Sequence, residues 1–203
     1  MTVEIYILII LSYLIGAIPT AVWLGRIFYG KDIRNHGSKN AGATNTFRVL
    51  GTKPGIFVLL VDISKGILPL IIIDNLSLTL ETSSIILLKI GVGIVAVLGH
   101  IFPIYAGFKG GKGVATTLGV VITLSPIAAA ISVGVFVLTL VISKIVSLSS
   151  IFAALSFFLS TVFIIDNNDF IKIFAGAVFV LITLKHIENI KRILKNEEPK
   201  VNF

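Results

Sequence analysis

The sequence contains no cysteine, and charged residues make up only 13% of its 203 positions. The absence of cysteine excludes disulfide bonds, thiol chemistry and Cys-ligated metal sites. The low charge and the 56% share of hydrophobic residues exclude a water-soluble enzyme, a disordered chain and a disulfide scaffold. One membrane span needs about 20 apolar residues, so the chain has room for about seven spans and for no soluble catalytic domain.

Acidic residues are also few, with 10 Asp and Glu against 17 Lys and Arg and a formal net charge of +7. The basic residues lie between the hydrophobic runs instead of along one soluble face. This distribution indicates membrane topology and attraction to anionic lipid or substrate, and it does not indicate nucleic-acid binding.

Apolar runs predict spans over residues 3–24, 55–73, 84–105, 113–125, 127–143, 148–165 and 169–185. The first run has no Lys or Arg before it, so we interpret it as a retained helix, kinked at Pro19, and not as a cleaved signal peptide. A single helix over 113–143 would be about 46 Å long, against about 30 Å of hydrocarbon. Pro126 therefore predicts two short helices, because proline removes a helical hydrogen bond.

The charges predict the orientation of these spans. Seven spans place all the basic segments on one face, with Arg26, Lys31, Arg34, Lys39, Arg48, Lys53, Lys109, Lys112, Lys144, Lys191, Arg192, Lys195 and Lys200. The opposite face collects Glu4, Asp74, Glu81, Asp166 and Asp169. The prediction is an all-α integral membrane protein of seven transmembrane helices, with its N-terminus outside and its C-terminus cytoplasmic. Residues 1–203 form one domain without an internal repeat.

Three polar clusters interrupt the hydrophobic sequence, at residues 36–48, 99–116 and 186–192, and all three face the cytoplasm in this topology. The first two are typical of anion sites, because small residues bring backbone N–H groups close to a ligand. Arg48 can bind a phosphate with two N–H groups, and Lys112 precedes a helix whose positive end favours an anion. The predicted phosphate-binding residues are Ser38, Lys39, Asn40, Thr44, Asn45, Arg48, Lys109, Gly110, Gly111, Lys112 and Gly113. The alternative is that these loops only turn the chain and set its orientation.

Two common motifs are absent. A P-loop requires Ser or Thr after its lysine, whereas Gly113 follows Lys112, so nucleotide hydrolysis is not expected. The H-x4-D dyad of many glycerolipid acyltransferases fails as well, because Ala41, Tyr105 and Lys191 stand five residues after the three histidines. No metal and no cofactor is expected, since the histidines are scattered.

Ionisable side chains inside or next to the predicted spans are candidates for supporting the substrate-binding residues. Asp62 and Lys65 are i, i+3 neighbours within a predicted span, where charge is costly. They either support the site, together with His100, or form a purely structural bridge. His186 and Asn189 share a helix face, and Asn189 can orient a substrate hydroxyl or cap the helix. Ser147, Ser149 and Ser150 are expected to cap a helix.

The three clusters resemble the three motifs of the bacterial acyl-phosphate:glycerol-3-phosphate acyltransferase family, PlsY. The matching residues are Gly37-Ser38-Lys39-Asn40 through Thr44-Asn45 to Arg48, then Gly99-His100, Phe102-Pro103 and Phe108 to Thr116, and finally His186, Asn189-Ile190 and Arg192. Two positions depart from the family pattern: Ala41 stands where the family usually has proline, and Asn196 where it usually has glycine.

The resemblance implies transfer of a fatty acyl group from acyl phosphate to the 1-hydroxyl of sn-glycerol 3-phosphate, giving lysophosphatidic acid and inorganic phosphate. It implies that Ser38, Arg48, Lys112, His186 and Asn189 are the catalytic and substrate-binding residues. A bacterial inner-membrane monomer is expected, in contact with membrane lipid, with its site on the cytoplasmic face and without nucleic acid. A soluble enzyme that produces acyl phosphate is a candidate partner.

Two alternatives remain at this point. A transporter of small phosphorylated anions would have a midplane site, broken helices and an internal repeat. An acyltransferase that uses acyl-CoA or acyl-carrier protein is disfavoured only by the missing H-x4-D dyad and by the lack of a nucleotide cradle.

Overall fold

The computed structural model describes residues 2–76, 80–165 and 168–201, and it is helical without a β-strand in these residues. The chain forms two compact units that divide between Thr123 and Leu124. Asp166, which contributes to the predicted charge asymmetry, lies outside the described residues.

The first unit is built from α1 to α6. Their bounds are α1 Thr2–Gly16, α2 Thr20–Tyr29, α3 Ala43–Leu50, α4 Thr52–Asn75, α5 Thr82–Ile101 and α6 Val114–Leu124. Two short 3-10 turns, Ile33–Asn35 and Ile104–Ala106, belong to the segments between α2 and α3 and between α5 and α6.

The second unit contains α7 Pro126–Ser143, α8 Val146–Ser160, α9 Asp169–Lys185 and α10 Ile187–Leu194. A π-helical turn, Thr161–Ile165, extends α8. Phe157 of α8 meets Phe174 of α9 edge to face, with ring centroids 6.3 Å apart. Aromatic pairs of this kind add to the apolar contact between packed helices.

The predicted breaks are confirmed. The first run is divided at Pro19 into α1 and α2, which are bent by 42°. The run over 113–143 is divided before Pro126, because α6 ends at Leu124 and α7 begins at Pro126. Within the described residues, four helices are long and apolar enough to cross a membrane, or up to six if each bent pair is one span. The second bent pair is α9 and α10, at 58°, and α6 is a shorter apolar helix.

The prediction that serines cap α8 is wrong. Ser149 and Ser150 donate instead to the carbonyls of Ile145 and Val146, four residues earlier, at 2.9 Å each. Such back-bonding satisfies a buried hydroxyl inside an apolar helix without a partner from elsewhere. Ser147 has a different role and donates to Glu198 in the C-terminal tail.

Glycines allow close helix packing in the first unit. A Cβ at Gly66 of α4 would overlap the carbonyl oxygen of Thr116 in α6, and a Cβ at Gly119 would overlap the carbonyl oxygen of Ile63. The two helix backbones therefore touch at this crossing. Close approach of small residues is the usual way in which membrane helices gain packing energy, because the lipid tails offer no hydrophobic driving force.

Replacing Gly66 tests this crossing. Gly66→Ala is expected to destabilise the protein by about 1–3 kcal/mol, because the α4 and α6 backbones must separate to admit a methyl group. Gly91→Ala in α5 is the matched control, since a Cβ there meets nothing within 4 Å, and alanine is the better helix former. Thermal unfolding in detergent should show a lower Tm for Gly66→Ala only. Equal Tm values for the two variants would contradict the close crossing.

Candidate active site

Asn45 holds the first polar segment against α3. Its amide nitrogen donates to the carbonyls of Ile33, His36 and Asn40 at 2.9–3.0 Å. Its Oδ1 accepts the backbone N–H of Ser38 at 2.9 Å. The Asn45 side chain is thus occupied within the protein and is 1% exposed. That Asn45 binds phosphate stays a prediction, and the structure gives it a positioning role.

Ser38 and Arg48 are exposed beside this framework. Gly37 lies against α3, where a Cβ would meet the side chains of Asn45, Val49 and Arg48. The loop before α3 therefore runs next to Arg48. Among the described residues, neither the Ser38 hydroxyl nor the Arg48 guanidinium has a hydrogen-bond partner or an ion-pair partner. Thr44 is exposed one turn before Arg48 on the same helix.

A clamp of Asp32 and Arg34 joins the first polar segment to the second. Arg34 donates to Asp32 through Nε and Nη2, at 2.8 Å for the latter, and through Nη1 to the carbonyl of Ala106 at 2.8 Å. Arg26 also donates to Asp32, at 2.7 Å. Donation from Arg34, with a smaller contribution from Arg26, holds the pKa of Asp32 well below its usual range despite partial burial. Asp32 therefore keeps its negative charge at neutral and mildly acidic pH, and the clamp stays intact there.

The two glycines of the second segment pack on the end of α5. The backbone N–H groups of Gly110 and Gly111 donate to the carbonyls of Ile101 and His100, at 3.2 Å each. A Cβ at Gly110 would overlap the His100 carbonyl oxygen, and a Cβ at Gly111 would overlap Nε2 of the His100 ring. These amides therefore satisfy helix-end carbonyls. That Gly110 and Gly111 bind phosphate stays a prediction.

Lys109, Lys112 and Gly113 lead from this turn into α6. Lys109 is exposed and Lys112 is half-buried. Gly113 has a φ of +84°, which favours glycine, and it starts the hydrogen-bond ladder of α6 by accepting the N–H of Thr117 at 2.8 Å. Lys112 thus stands just before the positive end of α6, as predicted from the sequence.

Asp62, Lys65 and His100 form a buried cluster beneath these loops. Lys65 Nζ lies 2.5 Å from Asp62 Oδ1 and donates to the carbonyl of Ile18, also at 2.5 Å. His100 Nδ1 is 3.7 Å from the same Asp62 oxygen. The Asp62 and Lys65 side chains are 2% and 3% exposed. Because the cluster lies under the Gly110–Gly111 turn, the structure connects the ion pair to the second polar segment through His100.

In the second unit, His186 and Asn189 lie at the bend between α9 and α10. His186 Nδ1 is 2.8 Å from the carbonyl of Ile182. A carbonyl can only accept, so His186 Nδ1 carries a proton and donates to it. The two side chains are 3% and 8% exposed. Asn189 Nδ2 donates to Glu198 Oε1 at 2.6 Å.

Glu198 ties the C-terminal tail to this pair. Besides Asn189, its carboxylate accepts from Ser147 at 2.8 Å and from Arg192 Nε at 2.7 Å. Burial raises the pKa of Glu198, but donation from Asn189, Arg192 and Ser147 outweighs burial and lowers the pKa below its usual value. Asn196, where the resembled family usually has glycine, turns the tail with a φ of +58°, a conformation that asparagine tolerates.

The sequence did not indicate the roles of Asp32 and Arg34 beside the polar segments of the first unit, or of Glu198 beside His186 and Asn189 in the second unit. Asp32 is the single acidic residue among the basic residues between the first two spans. This isolation could have indicated that it pairs with a neighbouring arginine. Glu198 stands in a short polar tail beside Glu197, and no local pattern distinguishes the two.

An apolar groove of about 420 Å³ lies on the first unit. It is lined by Leu11, Leu14, Ile15, Ile18, Trp23 and Tyr105. The rings of Trp23 and Tyr105 pack together with centroids 5.9 Å apart. Ile18 also lines the small polar cavity at Asp62 and Lys65, so one residue separates the groove from that cavity.

The sequence model of the family described as glycerol-3-phosphate acyltransferase matches residues 6–196. The glycerol-3-phosphate acyltransferase of Macrococcus caseolyticus is 42% identical over 200 residues, which cover 98% of each chain. That of Listeria welshimeri is 43% identical over the full length of both chains. That of Fusobacterium nucleatum is 43% identical over 96% of this chain and 97% of its own.

Solved structures agree with these relatives. The crystal structure of PlsY, an integral membrane glycerol 3-phosphate acyltransferase, in its glycerol 3-phosphate form matches with a TM-score of 0.86 and 38% identity. The match covers 98% of this chain and 96% of that chain. Its lysophosphatidic acid form matches with a TM-score of 0.82 and 37% identity. The chain is an acyltransferase and belongs to the glycerol-3-phosphate acyltransferase family.

Proposed function

We propose that this acyltransferase moves a fatty acyl group from acyl phosphate to the 1-hydroxyl of sn-glycerol 3-phosphate, with lysophosphatidic acid and inorganic phosphate as products. The observation that supports this most directly is that Ser38, on a loop held by Asn45, and Arg48, on the helix against which this loop lies, are both exposed. An exposed hydroxyl and an exposed guanidinium without hydrogen-bond partners among the described residues suit an anionic substrate. PlsY structures in glycerol 3-phosphate and lysophosphatidic acid forms support the same substrate and product.

The chemistry requires positioning more than nucleophilic side chains. The glycerol hydroxyl oxygen attacks the acyl carbon, the bond from that carbon to the phosphate oxygen breaks, and inorganic phosphate leaves. Acyl phosphate is a mixed anhydride with a good leaving group, so no covalent acyl-enzyme is needed. Arg48 and Lys112 offset the repulsion between two anionic substrates and stabilise the charge that develops on the leaving phosphate. A phosphate oxygen of the substrate accepts the hydroxyl proton.

His186 and Asn189 orient the attacking hydroxyl in this proposal. Asn189 Nδ2 donates to Glu198, which fixes the direction of the amide, and in the proposal the amide group orients the substrate hydroxyl. The contact of His186 Nδ1 with the Ile182 carbonyl fixes the imidazole ring beside Asn189, and in the proposal this ring helps to position the hydroxyl. Ser38, Lys39, Asn40, Thr44 and Lys109 contribute donors to the anionic groups, and Gly113 shapes the approach to Lys112. Asp62, Lys65 and His100 support the second polar segment from below.

The apolar groove suits the acyl chain. Its lining is almost wholly aliphatic and aromatic, and it runs from the outer surface of α1 to Ile18 beside the polar cavity. An acyl chain in this groove stays in an apolar environment during transfer, which removes the cost of drawing it into water. An enzyme of this kind therefore belongs in the membrane that holds its substrate.

We further propose the complete topology. Four long helices, two bent pairs and α6 give seven crossings, with the N-terminus outside and the polar segments on the cytoplasmic face of the bacterial inner membrane. The proposal includes one domain, which is supported by a family model that matches residues 6–196, and a monomeric protein. A soluble enzyme that makes acyl phosphate would deliver the donor at the same face.

The acyl donor is tested first. Purified protein given glycerol 3-phosphate and palmitoyl phosphate should release phosphate and form lysophosphatidic acid, whereas palmitoyl-CoA or an acyl-carrier protein should give no product. Lys112→Ala should lower kcat/KM at least ~100-fold, because a charge-assisted contact to phosphate is lost. Lys53→Ala is the control, since Lys53 is an exposed lysine at the start of α4. Product from the CoA donor alone would replace the proposed donor, and no product from any donor with folded protein would contradict the proposal.

Glu198→Gln tests how Asn189 is oriented. The amide brings an N–H group to a carboxylate position that accepts three donors, so we expect kcat to fall at least ~10-fold at pH 7. The bound Glu198 has a lowered pKa, so its stabilisation is present above the ordinary glutamate value and is lost as pH falls through the lowered pKa. The stability gap between wild type and variant should therefore close at low pH. Glu197→Gln, at the exposed neighbouring position, should behave as wild type.

Single cysteines test the topology directly, because the natural chain has none. In intact cells a membrane-impermeant maleimide should label Glu81→Cys and Ile127→Cys, and it should label Lys53→Cys and Lys195→Cys only after permeabilisation. All four positions are exposed. Labelling of Ile127→Cys only after permeabilisation would mean that α6 does not cross the membrane.

A further inference from the structure

A small cavity lies where three helices of the first unit meet. Thr20 of α2, Asp62 and Lys65 of α4, and His100 of α5 line it, and the two polar loops contribute Ala41 and Gly110. Its volume is about 10 Å³, which is room for about one water molecule. Because both loops border the cavity, an occupant would lie next to Ala41 of the first polar segment and Gly110 of the second.

Thr20 supplies the observation that points to an occupant. The residue is 8% exposed, and its Oγ1 has no hydrogen-bond partner among the residues that the structure describes. A buried hydroxyl without a partner costs free energy, and buried polar groups in proteins are nearly always paired with protein or with ordered water. Thr20 lines the cavity, so a partner placed in the cavity would satisfy its hydroxyl.

The other polar residues of the cavity can complete the coordination of a water. Lys65 uses two of its three N–H donors in contacts within the described residues, to Ile18 and Asp62. The 3.7 Å from His100 Nδ1 to Asp62 Oδ1 is too long for a direct hydrogen bond, so these two groups do not satisfy each other and both border the cavity. A buried water needs two to four polar partners, and the cavity offers that number.

We propose that Thr20, Asp62, Lys65 and His100 hold one ordered water, and that Thr20 is thereby a positioning residue for acyl transfer. The inference rests on the proposed function. The water links α2 to the buried ion pair and to the His100 ring, against which Gly111 packs. It therefore fixes the second polar segment relative to α2, without itself touching substrate.

Thr20→Val removes the hydroxyl and nearly preserves shape. We expect KM for glycerol 3-phosphate to rise roughly 3- to 10-fold with kcat within about 2-fold, which is the effect of losing one buried hydrogen bond on binding geometry. Thr20→Ser should restore KM. Thr161→Val is the matched control, because Thr161 Oγ1 is also buried without a partner in the described residues and lies in the other unit. It should leave both constants unchanged.

Coupling and crystallography decide whether water is the agent. His100→Asn and Thr20→Val should combine less than additively in their effect on KM, since both act through one water. A crystal structure should show density within hydrogen-bond distance of Thr20 Oγ1 in the wild type and none in Thr20→Val. KM values for Thr20→Val equal to those for Thr161→Val, or wild-type density without a water, would overturn the inference. An inactive wild type that still shows the water would overturn the proposed function alone.

Discussion

The ion pair between Asp62 and Lys65 is the interaction on which the first unit depends. The two side chains are almost fully buried, in a chain with few charges. Removing one partner from such a pair leaves an uncompensated charge and typically costs about 3–5 kcal/mol. Lys65 also donates to the carbonyl of Ile18, which precedes Pro19 at the break between α1 and α2. Lys65 therefore supplies a hydrogen-bond donor to a carbonyl at the helix break, in addition to neutralising Asp62. Because His100 lies between the ion pair and Gly111, the pair also supports the position of the second polar segment.

The polar segments above this cluster are held by interactions that leave the candidate substrate groups unused. The Asn45 amide forms hydrogen bonds with four backbone groups, and the Asp32 carboxylate forms ion pairs with Arg34 and Arg26. Arg34 then reaches the Ala106 carbonyl. The exposed Ser38 and Arg48 are consequently supported by neighbours and not by each other. This arrangement favours binding of an anionic substrate, because donors fixed before binding lose little freedom when the substrate arrives.

Hydropathy and proline predicted the long helices and the breaks at Pro19 and Pro126, because these features depend on local composition and on one missing hydrogen bond. The helix at Ala43–Leu50 was not predicted, since its sequence reads as a polar loop. The role of Asn45 was also hidden, because an exposed amide in a polar loop and a buried amide that orders the loop have the same local sequence. Glu198 could not be distinguished from Glu197 until the tail was folded back on Ser147 and Asn189. Hydrogen bonds between residues far apart in the sequence leave no periodic pattern in it, so the sequence does not predict them.

The glycines of the second segment show why a motif can be right while its first explanation is incomplete. A glycine-rich segment before a helix suggests backbone amides that face a phosphate. Here the N–H groups of Gly110 and Gly111 satisfy the carbonyls at the end of α5, and a Cβ at either position would collide with His100. Their small size is needed so that the turn can lie flat on the imidazole. A side chain at Gly111 would consequently push the turn off His100 and displace the neighbouring Lys112, so the motif can act on the substrate through placement of the lysine even if neither glycine amide touches it.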